Sequence, residues 1–112
     1  MHEKAQCMRK DVRRLQHLAR LRLDLKLNAL RRETEAAETL RSEMRHLADR
    51  ALLARREDER LGERHAVWVR QRMETLNLEL ANRLGRIEEA RESATRAFGQ
   101  EDALSLLAAK GK

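Results

Sequence analysis

The stretch Glu57-Asp58-Glu59-Arg60-Leu61-Gly62-Glu63 decides how this chain folds. On either side of it the apolar residues keep one rhythm. Before it they fall at Ala37, Leu40, Met44, Leu47, Ala51 and Ala54; after it they fall at Ala66, Val69, Met73, Leu76 and Leu80, in alternating steps of three and four. Such steps mark the contact seam of packed α-helices. Charges cluster in the stretch itself, and Gly62 supplies the residue type that most easily takes the left-handed geometry ending many helices. A reversal about Arg60 makes each residue face the one whose number brings the sum to 120. Leu40 then meets Leu80, Met44 meets Leu76, Leu47 meets Met73, Ala51 meets Val69 and Ala54 meets Ala66.

The same rule carries outward to Leu30 with Ala90, Leu23 with Ala97 and Val12 with Ala108. It predicts an all-α fold, an antiparallel two-helix coiled-coil hairpin forming one domain. Arm one covers about residues 3–57, the turn 58–63 and arm two about 64–98. Phe98-Gly99-Gln100 offers a break, beyond which residues 100–110 form a short C-terminal helix. Arms of roughly 50 residues rising about 1.5 Å per residue would make a rod about 75 Å long, with the chain ends together. An antiparallel homodimer of unbroken helices crossing at Arg60 would give the same pairs. The hairpin is favoured over it, because closing a short loop costs less than ordering a second chain.

Composition agrees with a thin helical protein. There is no proline to interrupt a helix. Charged residues reach 39% and aromatics only 2%, too few to fill a thick core. The abundant Leu, Ala, Arg and Glu are all good helix formers. Cys7 is the only cysteine and has no internal partner, no apolar run nears the roughly 18 residues of a membrane span, and Met1 to Asp11 lacks the apolar core of a signal peptide. A cytoplasmic location fits, peripheral at most to a membrane-embedded apparatus. The net charge of +6 is concentrated: residues 1–30 hold eight basic and three acidic side chains, or +5, leaving +1 for the remainder. Arg9, Arg13, Arg14, Arg20 and Arg22 make this end electropositive.

Two features break the regular pattern. Leu27, Leu30 and Glu33 continue the seam by two successive steps of three, a stammer that would overwind the supercoil. The leucines of Arg20-Leu-Arg-Leu-Asp-Leu-Lys-Leu27 also point two ways. At 100° per residue, Leu18, Leu21 and Leu25 share one face while Leu23, Leu27 and Leu30 lie nearly opposite. A hairpin partner covers one face only. Either the segment Ala103-Leu-Ser-Leu-Leu-Ala-Ala109 wraps over the surplus, or another protein docks on Leu18, Leu21 and Leu25. Trp68, about 100° from the seam residue Val69, either caps the seam or stands exposed as a binding anchor.

Catalytic chemistry has little to work with. His2, His17, His46 and His65 lack ligand spacing, the paired carboxylates sit on thin helices with nothing to shift their pKa values, and the few glycines form no phosphate loop. No enzyme activity and no cofactor is expected. Nucleic acid is a weaker candidate partner than protein, since acidic residues alternate with basic ones over most of the chain and no aromatic stacking set exists.

The arginine-rich two-helix pattern, above all Trp68-Val-Arg-Gln-Arg-Met-Glu-Thr-Leu-Asn-Leu-Glu-Leu-Ala81 running on to Ala97-Phe98-Gly99, resembles the FliJ/YscO-type stalk proteins of flagellar and virulence type III secretion. The resemblance spans the whole chain but rests on shape and heptad pattern, and this chain is shorter than typical flagellar members. It implies a shaft with its terminal end in the export ATPase ring and its mid-region reaching the export gate or substrate chaperones. No motif carries a contact residue across. The sequence thus points to a non-enzymatic coiled-coil interaction protein. A homodimeric coiled-coil adaptor or scaffold is the alternative, and a basic helical nucleic-acid binder the third.

Overall fold

The computed structural model describes residues 2–57 and 59–110, which form two helices, α1 (His2–Glu57) and α2 (Glu59–Lys110). Both helices follow from long runs of good helix formers with no proline. Glu3 in the first turn of α1 and Arg55 and Arg56 in its last turn complement the helix dipole. The chain is an all-α helical hairpin, its two helices packed against each other. Among the described residues no helix is long and apolar enough to cross a membrane.

The hairpin divides into two units, each built from a stretch of both helices. The reversal unit is Arg32–Ile87; the terminal unit joins Met1–Arg31 to Glu88–Lys112. In the reversal unit Leu47, Val69 and Leu76 form the buried cluster, with Leu40, Met44, Ala51 and Met73 packed against it, and Leu76 is wholly shielded from solvent. Leu80 is half-buried on the same stripe. Two ion pairs cross between the helices beside this seam, Arg72 to Glu43 at 2.9 Å and Arg83 to Glu33 at 3.0 Å. In the terminal unit the buried residues are small, Ala94 and Ala97, while Val12, Ala19, Leu23, Leu30, Leu104 and Ala108 are half-buried.

Four expectations are corrected. The turn is shorter than residues 58–63: α2 already runs from Glu59, and Asp58 lies outside the described residues. No described residue has a positive φ, so Gly62 is helical and does not supply a left-handed cap. It is buried against the end of α1, and a Cβ there would stand 3.0 Å from the Cα of Arg55. Glycine at this position serves close backbone approach.

Nor does the helix break at Phe98-Gly99-Gln100, since α2 continues to Lys110. A helical glycine with open space around it costs only about 1 kcal/mol, which the flanking residues readily offset.

The stammer is also absent. The buried and half-buried residues of α1 include Val12, Gln16, Ala19, Leu23, Lys26, Leu30, Glu33 and Ala37, an unbroken alternation of four and three flanked by half-buried Ala29 and Ala36, and Leu27 is exposed. The seam passes through Lys26, whose aliphatic stem can lie along an apolar surface while its ammonium reaches water. On α2 the alternation likewise runs from Gly62 to Ala108 and takes in Arg83 and Glu101.

Candidate interaction surfaces

The seam of the terminal unit is too narrow to hold its large apolar residues. Leu23 and Leu30 face alanines in the expected pairing, so the contact layer is thin, and Leu15, Leu18, Leu21, Leu25 and Leu27 all stand exposed on α1. Leu104 and Ala108 of α2 turn toward the seam, while Leu106 and Leu107 are exposed. The C-terminal segment therefore does not wrap over Leu18, Leu21 and Leu25, because as a straight continuation of α2 it can present only one stripe to α1.

Polar groups set the register here. The Gln16 amide donates to the Ser105 hydroxyl at 3.1 Å, and Ser105 donates in turn to Glu101 Oε1 at 2.8 Å. Arg20 Nε donates to the same oxygen at 3.2 Å. The Ser105 hydroxyl, and then Arg20, hold the Glu101 carboxyl below its ordinary value by stabilising the ionised form. A seam position occupied by a carboxylate is thereby satisfied on the side where water is least available. In the reversal unit, hydrogen bonding and charge from Glu43 raise the Arg72 guanidinium above its ordinary value.

Of the arginines singled out in the sequence, Arg20 is tied to Glu101, while Arg9, Arg13, Arg14 and Arg22 are exposed and make no ion pair among the described residues. Arg9, Arg13 and Arg20, with Lys110 of α2, line an open groove of about 1040 Å³ whose apolar parts include Met8, Val12 and Leu107. Among the described residues no acidic side chain lines it. Arg22 belongs to a second groove of about 410 Å³, together with Leu15, Leu18, Gln100, Ala103 and Leu104. Neither Met8 nor Leu15 stood out in the sequence, because neither belongs to the seam; their steps relative to Leu18 and Leu25 are the signal that finds them.

Trp68 lies in the reversal unit and is 52% exposed. Its ring stacks on His65 with centroids 5.7 Å apart and 27° between planes. The Nε2 atom of His65 is buried and has no hydrogen-bond partner among the described residues. Val67, Leu52 and Leu53 are exposed in the same unit. Sequence alone did not separate His65 from the other histidines; its step of three to Trp68 was the available clue. Among the described residues no three His, Cys, Asp or Glu side chains come together as a metal site, and Cys7 is exposed. Comparison with protein-family models, curated proteins and solved structures gives no match for this chain.

Proposed function

We propose that this chain is a non-enzymatic coiled-coil interaction protein that resembles the central stalk of a flagellar or type III export ATPase, coupling the ATPase ring to the export gate. The observation that carries this proposal is the groove of the terminal unit, where Arg9, Arg13 and Lys110, with Arg20 held by Glu101, surround apolar surface that no acidic side chain lines among the described residues. Such a surface suits an acidic protein partner, since clustered charge steers encounter and selects the complementary surface. A helical hairpin with side-by-side polar and apolar contacts can transmit a difference between partner states only where those states bind it unequally, and a one-sided charged groove provides that inequality.

The test is binding to, and stimulation of, a purified export ATPase by the full chain and by its Arg9→Glu, Arg13→Glu variant. The intact chain is expected to bind and accelerate ATP hydrolysis, with at least a tenfold weaker interaction for the variant. An intact chain that neither binds nor stimulates the ATPase sinks the stalk proposal. The homodimeric adaptor is favoured instead if light scattering gives twice the chain mass of 13.1 kDa.

A further inference from the structure

We propose that the exposed leucines of α1 in the terminal unit seat a third helix, supplied by a protein partner and carrying acidic residues beside an apolar stripe. The surface is distinct from the basic groove above, and the inference goes beyond the stalk proposal without depending on it.

The seam of α1 in this unit runs through Val12, Gln16, Ala19, Leu23 and Lys26. One residue earlier at each step stands a second stripe with the same rhythm: Asp11, Leu15, Leu18, Arg22 and Leu25. It lies about 100° round the helix from the seam. Steps of four and three are what knobs-into-holes packing against another helix requires, so this stripe has the periodicity of a contact surface. Yet it is unoccupied by α2: Leu18 is 60% and Leu25 66% exposed, and Leu15 and Leu21 are exposed beside them. Scattered exposed leucines need no explanation, but three in register on one face of a thin helix, with a fourth beside them, do.

The adjoining groove defines how the third helix would lie. Leu15, Leu18 and Arg22 form one wall, and Gln100, Ala103 and Leu104 of α2 the other. A helix laid in it would touch both existing helices, and the small side chain of Ala103 leaves room for its approach. Charge then selects the occupant. Among the described residues, Arg14 and Arg22 flank the leucines and make no ion pair, and no acidic side chain lines the groove. Asp11 closes the apolar part of the stripe at one end. An incoming helix with Glu or Asp beside its apolar stripe would satisfy both arginines. A second copy of this chain would not. Paired parallel, it sets Arg22 against Arg22; paired antiparallel about Leu18, it sets each Arg22 against Arg14 of the other copy.

The test uses the full chain and a labelled synthetic 21-residue helical peptide, with leucines at heptad positions a and d and glutamates at e and g. Its twin carries lysines in place of the glutamates. Fluorescence anisotropy should show the acidic peptide binding at least tenfold more tightly than the twin. Leu18→Gln with Leu25→Gln should weaken it at least tenfold while helicity by circular dichroism is kept, and Leu78→Gln, an exposed change in the reversal unit, should leave it unchanged. Arg14→Glu with Arg22→Glu should turn the preference toward the lysine twin. Equal binding of both peptides, or indifference to the leucine pair, overturns the proposal. So does a dimer of the chain that the leucine pair dissolves, which would make a second copy the occupant. Sedimentation with phosphatidylglycerol vesicles that depends on the same leucines and excludes the peptide would assign the face to a lipid surface instead.

Discussion

One substitution made at three places separates the observed helices from the broken ones that glycine content alone suggests. In a helix interior, glycine to alanine gains about 1 kcal/mol, much of it by restricting the unfolded chain. At Gly85 and Gly99 a new Cβ meets nothing within 4 Å, so Gly85→Ala and Gly99→Ala should each collect that gain. The sites are fourteen residues apart, about 21 Å along a helix, so the effects should add to about 2 kcal/mol. At Gly62 the same Cβ would sit 3.0 Å from Arg55 Cα and 3.2 Å from its Cγ. The nearer atom is backbone, which cannot rotate away. Overpacking of this kind costs about 1–3 kcal/mol, so Gly62→Ala should lose up to about 2 kcal/mol net. The assay is thermal unfolding followed by circular dichroism at 222 nm, where about 1 kcal/mol corresponds to roughly 4 °C. A rise in melting temperature for Gly62→Ala equal to that for Gly85→Ala would refute the close approach of the helices at the reversal. A fall for Gly99→Ala would refute the continuity of α2 and restore a break at Phe98-Gly99-Gln100.

The seam of the reversal unit predicts that Leu76→Ala or Leu47→Ala costs about 2–3 kcal/mol in urea titration, since three carbon groups at about 0.8 kcal/mol each leave the core and flexible Met44 and Met73 can close part of the gap. Leu78→Ala, on an exposed residue, should stay within about 0.5 kcal/mol, and equal losses at Leu76 and Leu78 would contradict the seam. Glu101 has its folded pKa depressed, so its contribution to stability is full above the ordinary glutamate range near about 4.3 and is lost as pH falls through the depressed value. Ser105→Ala removes the largest cause, and the difference in melting temperature between wild type and variant should shrink as pH falls through that window; a constant difference would count against the network. Amide exchange should be faster in the terminal unit, whose buried residues are alanines, than across Leu40 to Leu80. Uniform protection would contradict this.

The parts of this fold that sequence discloses are those where side-chain chemistry and helix geometry agree. Leu40, Met44, Leu47, Val69, Met73 and Leu76 are apolar at seam steps, so pattern and packing coincide. At Lys26 they part. Apolarity favours Leu27 as the seam residue, but a helix kept in register with its partner has no freedom to skip, and the heptad spacing half-buries Lys26 while leaving Leu27 exposed. Gly62 and Gly99 mislead in a related way. Glycine permits a left-handed turn but does not require one, and a helix confined by its neighbours retains it, for close approach at Gly62 and at modest cost at Gly99.

The candidate surfaces were harder to read, because an exposed stripe on α1 looks like a flaw in the seam until the seam itself is fixed. Once Lys26 is placed in it, the leucines at 15, 18 and 25 resolve into a second stripe one residue out of phase, and Leu27 falls outside both. The basic groove depended on the pairing of the chain's two end segments, since Lys110 joins Arg9, Arg13 and Arg20 only after α2 has returned along α1. The terminal unit thus keeps little apolar burial for its own hairpin, fixes its register through Gln16, Ser105, Glu101 and Arg20, and leaves its leucines outward. Any partner that covers those leucines adds the burial this unit lacks, so binding there also stabilises the segment that forms the basic groove. Stabilisation of the shared segment of α1 predicts that occupancy of one surface strengthens binding at the other reciprocally, which paired binding titrations would check.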